Sequence, residues 1–305
     1  MNIKIASSKA PFLALGLALV ALNSWGQTLR VDSVIDSLGT TKRLEKPAAR
    51  VVSLSPSATE ALFAVGATVV GNTTYCNFPP EAKQVAKIGG FSARSMSVEK
   101  ILSLRPDLIV SSGRIHAAVV DQLARYGIPV YAYSPASFVE IGEGLRNLGT
   151  LTGNPARGKD EADRLAAELA KIAAIVATIP ENERLKVFWE VYDEPLMTCG
   201  SSTFQHAIVA AAGGKDIFTD LSAAWPTVSG EEVIARAPQV IMGADDHGEK
   251  MTYSSIASRP GWSQIPAVKD KRIVLLPTEL VSGPGPRIAK GVYLAAKALY
   301  PRLFP

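Results

Sequence analysis

Between Asn154 and Pro180 the chain carries its longest uninterrupted helical pattern, NPARGKDEADRLAAELAKIAAIVATIP. Asn154 can cap the first turn, Pro155 suits the first helical position, Asp160, Glu161 and Asp163 favour the positive N-terminal end, and Pro180 stops the run. Leu165, Leu169, Ile172 and Val176 recur at spacings of three and four, so one stripe is apolar. At about 1.5 Å per residue, roughly 24 residues span on the order of 36 Å. A rod of that length crosses the back of two lobes rather than joining two neighbouring strands.

A faint repeat flanks this helix. Ser97 to Gly113 reads SVEKILSLRPDLIVSSG, and Ser229 to Asp245 reads SGEEVIARAPQVIMGAD. Each begins with a Ser suited to an N-cap, places a Glu two residues later, and breaks at a Pro, Glu99 leading to Pro106 and Glu231 to Pro238. Each then runs into a β-branched strand. Two helix-Pro-strand units around one long helix predict an α/β protein of two small lobes joined by a single inter-lobe helix. The expected boundaries are a signal peptide over 1–26, an N-terminal lobe over 27–153, the helix over 154–180 and a C-terminal lobe over 181–305.

The first 26 residues read as a targeting segment. Lys4 and Lys9 form its basic end, Pro11 to Leu22 its apolar core, and Ser24 and Gly26 sit at the two cleavage-critical positions, so cleavage before Gln27 is expected. The apolar run is short for a membrane span, and no Cys follows to accept a lipid. A soluble exported protein is expected. The chain has 32 Lys+Arg against 28 Asp+Glu, and removing Lys4 and Lys9 leaves 30 against 28, a net of +2. No basic stripe accompanies that balance, which argues against a nucleic-acid partner. Cys76 and Cys199 fall one in each half and are either bridged or free.

Local pattern fills in the lobes. Leu29 to Ile35 and Thr40 to Leu44 read as a hairpin, Val51 to Leu54 as a buried strand, Ser55-Pro56 as a turn with Ser57 or Thr59 as cap, and Ala61 to Val65 as a helix. Short strands are expected at Val69 to Gly71, Leu108 to Val110 and Val130 to Tyr133, with a helix over Val119 to Tyr126. In the second half, Val187 to Tyr192, Val240 to Gly243 and Ile273 to Leu276 read as strands, and Phe204 to Ala212 and Ile288 to Leu299 as helices. Ligands bind at strand ends in open α/β sheets. The loops there contain Ser55, Tyr75, Arg114, Tyr192, Trp225 and the turn from Glu279 to Pro286.

Catalytic constellations are scarce. Phosphate-binding glycine loops and a G-x-S-x-G elbow are missing. His116, His206 and His247 stand at no metal-ligand spacing. An acid pair, Asp245 or Asp246 with Glu279, is the basis for a hydrolase reading, but no nucleophile-base set accompanies it. Binding is favoured over catalysis, with no metal and no resident cofactor, and pure scaffolding is a third reading. Tyr75, Phe91 in IGGFSARS and Trp225 in SAAWPTVS are flat side chains in small, polar contexts, which suits a large, partly apolar ligand.

VVSLSPSATEALFAVGA, TTYCNFPPEA, IGGFS, SVEKILSLRPDLIV, AAWPTVSGEEVIARAPQVIM and GPGPRI, in that order, resemble the substrate-binding proteins of ABC importers with a helical backbone, and among them the cobalamin-binding branch. The resemblance implies that Tyr75 and Trp225 are cleft aromatics against a corrin, that Phe91 lies near another, and that Glu99 and Glu231 dock the two lobes onto arginines of a permease dimer. It also places both cysteines near the cleft on opposite lobes, where free thiols could reach a ligand. Two departures stand out. Glu279 and Gly283 occupy positions where the cobalamin branch has an Asp and an Arg, and the turn from Gly89 to Ser92 lacks the Tyr of the haem branch. A ferric siderophore is the alternative ligand and would want converging arginines; Arg94, Arg114 and Arg287 are available. A single stiff helix further implies little hinge motion.

Overall fold

The computed structural model describes residues 31–245 and 251–305; the targeting segment, Asp246 and His247 lie outside them. A hairpin of β1 (Val34–Ile35) and β2 (Thr41–Lys42) precedes the first lobe. That lobe is built from β3 (Val51–Ser53), α1 (Pro56–Ala64), β4 (Val69–Asn72), β5 (Ala86–Lys87), α2 (Val98–Ser103), β6 (Leu108–Ser111), α3 (Ala117–Ala124) and β7 (Val130–Ala132). Its strands are all parallel, in the order β5-β4-β3-β6-β7. Parallel pairing needs a crossover for each step, which the helices supply, and a sheet covered on both faces explains why Val51, Val52, Leu108, Ile109 and Val110 are apolar in unbroken runs.

Two helices lead out of this lobe, α4 (Phe138–Leu151) and the long α5 (Pro155–Val176). The second lobe follows with β8 (Lys186–Asp193), β9 (Leu196–Thr198), α6 (Phe204–Ala211), β10 (Lys215–Asp216), α7 (Gly230–Arg236), β11 (Val240–Ala244), α8 (Tyr253–Ala257), α9 (Pro266–Lys269), β12 (Ile273–Leu276), α10 (Thr278–Val281) and α11 (Ile288–Leu299). Its parallel order is β10-β8-β11-β12, with β9 antiparallel on β8. The chain is therefore a two-lobed α/β protein, each lobe with its own parallel sheet.

At about 1.5 Å per residue, the 22 residues of α5 span roughly 33 Å. Its apolar stripe is buried at Leu165, Ile172 and Val176, with Leu169 packed partly against the same core. The helix touches α1 and α4 on one side and α6 and α11 on the other, so a single apolar core runs behind both lobes. Its ends differ from the sequence reading. Asn154 donates its side-chain amide to the carbonyls of Gly66 and Thr152 and caps nothing. No acid stands in the first turn; Asp163 pairs with Arg146 and Lys159, and Glu161 with Arg164. The helix stops at Val176 because the Thr178 and Ile179 amides turn back onto Ile175 and Val176. In α1 the cap is Ser55, whose Oγ accepts the Ala58 amide, rather than Ser57 or Thr59.

The repeat around α5 is structural. Ser97 and Ser229 both cap, accepting the amides of Lys100 and Glu232, and only Ser229 completes a capping box through the Glu232 carboxylate. The residue before each Pro is left-handed, Arg105 at φ 48° and Ala237 at φ 50°. The residue after each Pro donates to the neighbouring strand, Asp107 to the Arg50 carbonyl and Gln239 to the Lys186 carbonyl. In register, Val51 pairs with Leu108 as Val187 pairs with Val240. The β3-β6-β7 unit is thus matched by β8-β11-β12.

Candidate functional site

Loops at the C-terminal ends of the two sheets meet where the lobes touch. The segment from Gly283 to Arg287 reaches across to α1 and β7. Tyr133 donates its hydroxyl to the Pro284 carbonyl at 3.0 Å. Arg287 grips Glu60 with two bonds, Nε to Oε2 at 2.9 Å and Nη2 to Oε1 at 2.6 Å. The guanidinium carbon lies 3.5 Å from the centre of the Phe78 ring. Phe138 and Phe204, one from each lobe, are 6.0 Å apart. Burial pushes the Glu60 carboxyl above its ordinary 4.5, Arg287 opposes that shift, and the charge of nearby Glu279 adds to it.

Aromatic side chains stand exposed on loops and at a strand end of both lobes, and one of them, Phe78, lies against Arg287. Tyr75 and Phe78 follow β4, Tyr192 ends β8, and Trp225 lies in the loop before α7. Phe78 belongs here although the sequence reading of the site omits it; its place in the same NFPP loop as Tyr75 is the signal. The Trp225 loop is held by the Gly200 amide on the Ala224 carbonyl at 2.8 Å and the Thr198 amide on the Pro226 carbonyl at 3.1 Å. A β-carbon on Gly200 would lie 1.9 Å from the Ala223 carbonyl oxygen, so only glycine lets the loop pass this close.

Phe91 is half-buried, and its position depends on a residue that sequence reasoning treated only as a failed metal ligand. The His116 Nδ1 accepts the Ser112 amide at 3.0 Å, which leaves the proton on Nε2, aimed at the Phe91 carbonyl at 3.0 Å. The two rings meet edge-on at 5.2 Å. Burial lowers the imidazole pKa and so keeps it neutral, the form this geometry requires. Gly89, at φ 125° and with the Ser95 carbonyl in the space of its absent side chain, turns the chain into this loop. Nothing in the local sequence reveals the strut, because His116 and Phe91 lie on separate loops.

The other sequence candidates separate. Ser55 is buried, and its hydroxyl faces the helix it caps rather than the cleft. Arg114 is exposed on the turn after β6. Glu279 is exposed on α10, and half-buried Gly283 lies beside Ser57. Arg287 does not join Arg94 and Arg114 as an available cation, because Glu60 holds it. Asp245 accepts both the amide and the hydroxyl of Thr278, at 2.9 and 2.7 Å, so its carboxylate anchors α10 and sits below its usual range for that reason. Glu99 and Glu231 are exposed at matching positions in the first turns of α2 and α7.

Both cysteines are free and fully buried, which removes the expectation that either thiol reaches a ligand. Cys76 sits between the Thr59 and Thr73 hydroxyls. Cys199 lies against Asp216, and burial pushes its thiol well up, the inert direction. Among the described residues no cluster of His, Cys, Asp or Glu could hold a metal ion, and no helix is long and apolar enough to cross a membrane.

Residues 51–280 match the family model described as periplasmic binding protein. The chain belongs to that family. Membership makes this periplasmic binding protein a solute binder with its site between two lobes. It is 35% identical over 203 residues to the vitamin B12-binding protein of Salmonella choleraesuis (strain SC-B67), covering 66% of this chain and 74% of the relative. It is 32% identical over 268 residues to an uncharacterized ABC transporter substrate-binding lipoprotein of Bacillus subtilis (strain 168), covering 86% and 83%. Among solved structures, the periplasmic vitamin B12 binding protein of Vibrio cholerae superposes with a TM-score of 0.70 at 25% identity, over 83% of this chain and 97% of that one. The apo periplasmic heme-binding protein of Roseiflexus sp. RS-1 superposes with a TM-score of 0.74 at 27% identity, over 84% and 99%.

Proposed function

We propose that this periplasmic binding protein captures cobalamin or a related corrinoid between its lobes and delivers it to the permease dimer of an ABC importer. The observation that carries the reading is the set of exposed aromatic side chains on both lobes: Tyr75 and Phe78 on one, Tyr192 and Trp225 on the other. Flat, partly apolar walls suit a large macrocycle. The vitamin B12-binding relatives support the choice of ligand. Phe91 completes the aromatic surface, and Arg114, Glu279 and Gly283 supply the polar and open parts of the rim.

The segment 1–26 directs export, with cleavage before Gln27, and the mature protein acts as a monomer in the periplasm. Delivery uses Glu99 and Glu231. Each projects from the first turn of an equivalent helix, one per lobe, and a permease dimer offers two equivalent basic pockets. The continuous core behind α5 favours capture with little lobe movement.

Isothermal titration of the mature protein with cyanocobalamin tests the ligand, with haem and a ferric siderophore in parallel. One-to-one cobalamin binding that weakens at least tenfold in Trp225→Ala and Tyr75→Ala is the expected result. Silence toward cobalamin with binding of the siderophore would move the protein to the second reading, whereas binding of haem would match the heme-binding neighbour instead. Charge reversal at both Glu99 and Glu231 should abolish stimulation of the transporter's ATPase while leaving ligand affinity in place.

A further inference from the structure

The inter-lobe floor holds a cation that the cleft does not use. The fork of Arg287 is engaged by both carboxylate oxygens of Glu60, and its face is covered by Phe78. A bidentate, charge-assisted pair is the strongest way a carboxylate can hold a guanidinium, and stacking on a ring fixes the guanidinium plane as well. Glu60 is itself buried, at 8% exposure, and sits on α1, away from the loop that carries Arg287. It therefore does not belong to the turn it neutralises. Glu279, exposed on α10, is near enough to act on the Glu60 charge. Glu60 cancels the Arg287 charge, so this part of the floor offers an arriving anion no free cation. An arriving polyanion would have to displace a buried carboxylate to reach the guanidinium, and would leave that carboxylate without a partner.

We infer that Glu60 is a specificity determinant of the cleft: by holding Arg287 it selects neutral or cationic solutes over polyanionic ones of the same size. This rests on the reading of the cleft as a solute site but not on the corrinoid. Discrimination arises here from a repulsive element, two acids around one cation, rather than from any added attraction to the preferred solute.

Two iron chelates of similar size isolate charge as the variable: a neutral ferric trihydroxamate and a trianionic ferric tricatecholate. The wild type should prefer the trihydroxamate by at least tenfold in titration calorimetry. The double variant Glu60→Gln with Glu279→Gln should cut that preference at least tenfold, or bind the tricatecholate where the wild type binds neither chelate. A folded double variant with unchanged preference overturns the inference, as does a wild type that binds both chelates equally, or binding of neither chelate by either protein. If circular dichroism shows the double variant unfolded, Glu279→Gln alone, at an exposed position, must shift the preference the same way by about threefold. No shift there is equally fatal. Cyanocobalamin titrated beside the chelates judges the corrinoid separately: its failure to bind removes that ligand and leaves the charge preference to stand or fall on the chelate pair.

Discussion

The two lobes place different chemistry at equivalent positions. Register pairs Leu54 of the first lobe with Glu190 of the second, and the helix-Pro repeat pairs Leu104 with Arg236. Leu54 is fully buried among apolar neighbours, and Leu104 packs on the same face of the sheet. Glu190 is just as buried but meets Arg259, with bonds of 2.6 and 2.8 Å, while Arg259 lies over Trp262. Arg236 lies over Phe218 and forks onto Asp220. One backbone plan therefore tolerates either a dry core or a paired, ring-covered cation. The second lobe has the more breakable core, because removing half of a buried pair strands the other half, whereas trimming an apolar side chain leaves only a cavity.

The largest effect should come from breaking that pair. Arg259→Leu leaves Glu190 buried without a partner and should cost about 3–5 kcal/mol. Replacing both, as Glu190→Leu with Arg259→Leu, makes the second lobe resemble the first and should return stability to the wild-type value or above it. Urea denaturation read by tryptophan fluorescence measures both. A double variant as unstable as the single would show that the pair does more than compensate itself. On the apolar side, Leu54→Ala should cost about 2–5 kcal/mol through lost burial and the cavity left behind. If it cost less than about 1 kcal/mol, the dry core would be the softer one and the comparison would reverse.

The caps sharpen the contrast at lower energy. Ser229 completes a reciprocal box and Ser97 does not, since Lys100 stands where Glu232 stands in the other copy. Ser229→Ala should cost about 1–2 kcal/mol and Ser97→Ala about 0.5–1 kcal/mol, measured by the shift in urea midpoint at constant slope. Equal costs would mean that the Glu232 carboxylate contributes nothing to its helix.

The two-lobe plan is legible in the sequence because it is written locally: a long period of three and four in α5, and two copies of Ser, Glu and Pro in one register. Tyr75 and Trp225 are legible because flat apolar side chains in polar loops have few other uses. Glu60, His116 and Phe78 are not, for one shared reason. Each acts through a partner distant in the chain, Arg287 for Glu60 and Phe78, and the Phe91 carbonyl for His116, and no periodicity connects such pairs. Ser55 shows the opposite error. A polar residue at a strand end reads as a ligand contact, but the Pro that follows it begins a helix whose first free amides need that hydroxyl.

The smallest effect, and the one that opposes the lobes most directly, is the response to acid. In the second lobe Asp245 is held below its ordinary 3.8 by the Thr278 amide and hydroxyl, and Asp220 by Arg236. A carboxylate depressed in the folded state adds stability that is present above pH 3.8 and lost as the pH falls through the folded value. Glu60 has the reverse sign. Its carboxyl is raised above 4.5, so the folded state binds that proton first, and lowering the pH through the raised value relieves the burial cost. As the pH falls toward 4.5 Glu60 should therefore offset part of the acid sensitivity of the whole protein, and at lower pH Asp245 and Asp220 should add to it, as should Asp163 and Glu181, which are held low by their own cations. Urea midpoints measured from pH 6 to pH 3 should fall more steeply above pH 4.5 in Glu60→Gln than in the wild type, and less steeply below pH 4 in Asp245→Asn. If both variants were flatter than the wild type throughout, Glu60 would be a stabilising ion pair of the ordinary kind, and the floor of the cleft would resemble the paired core of the second lobe.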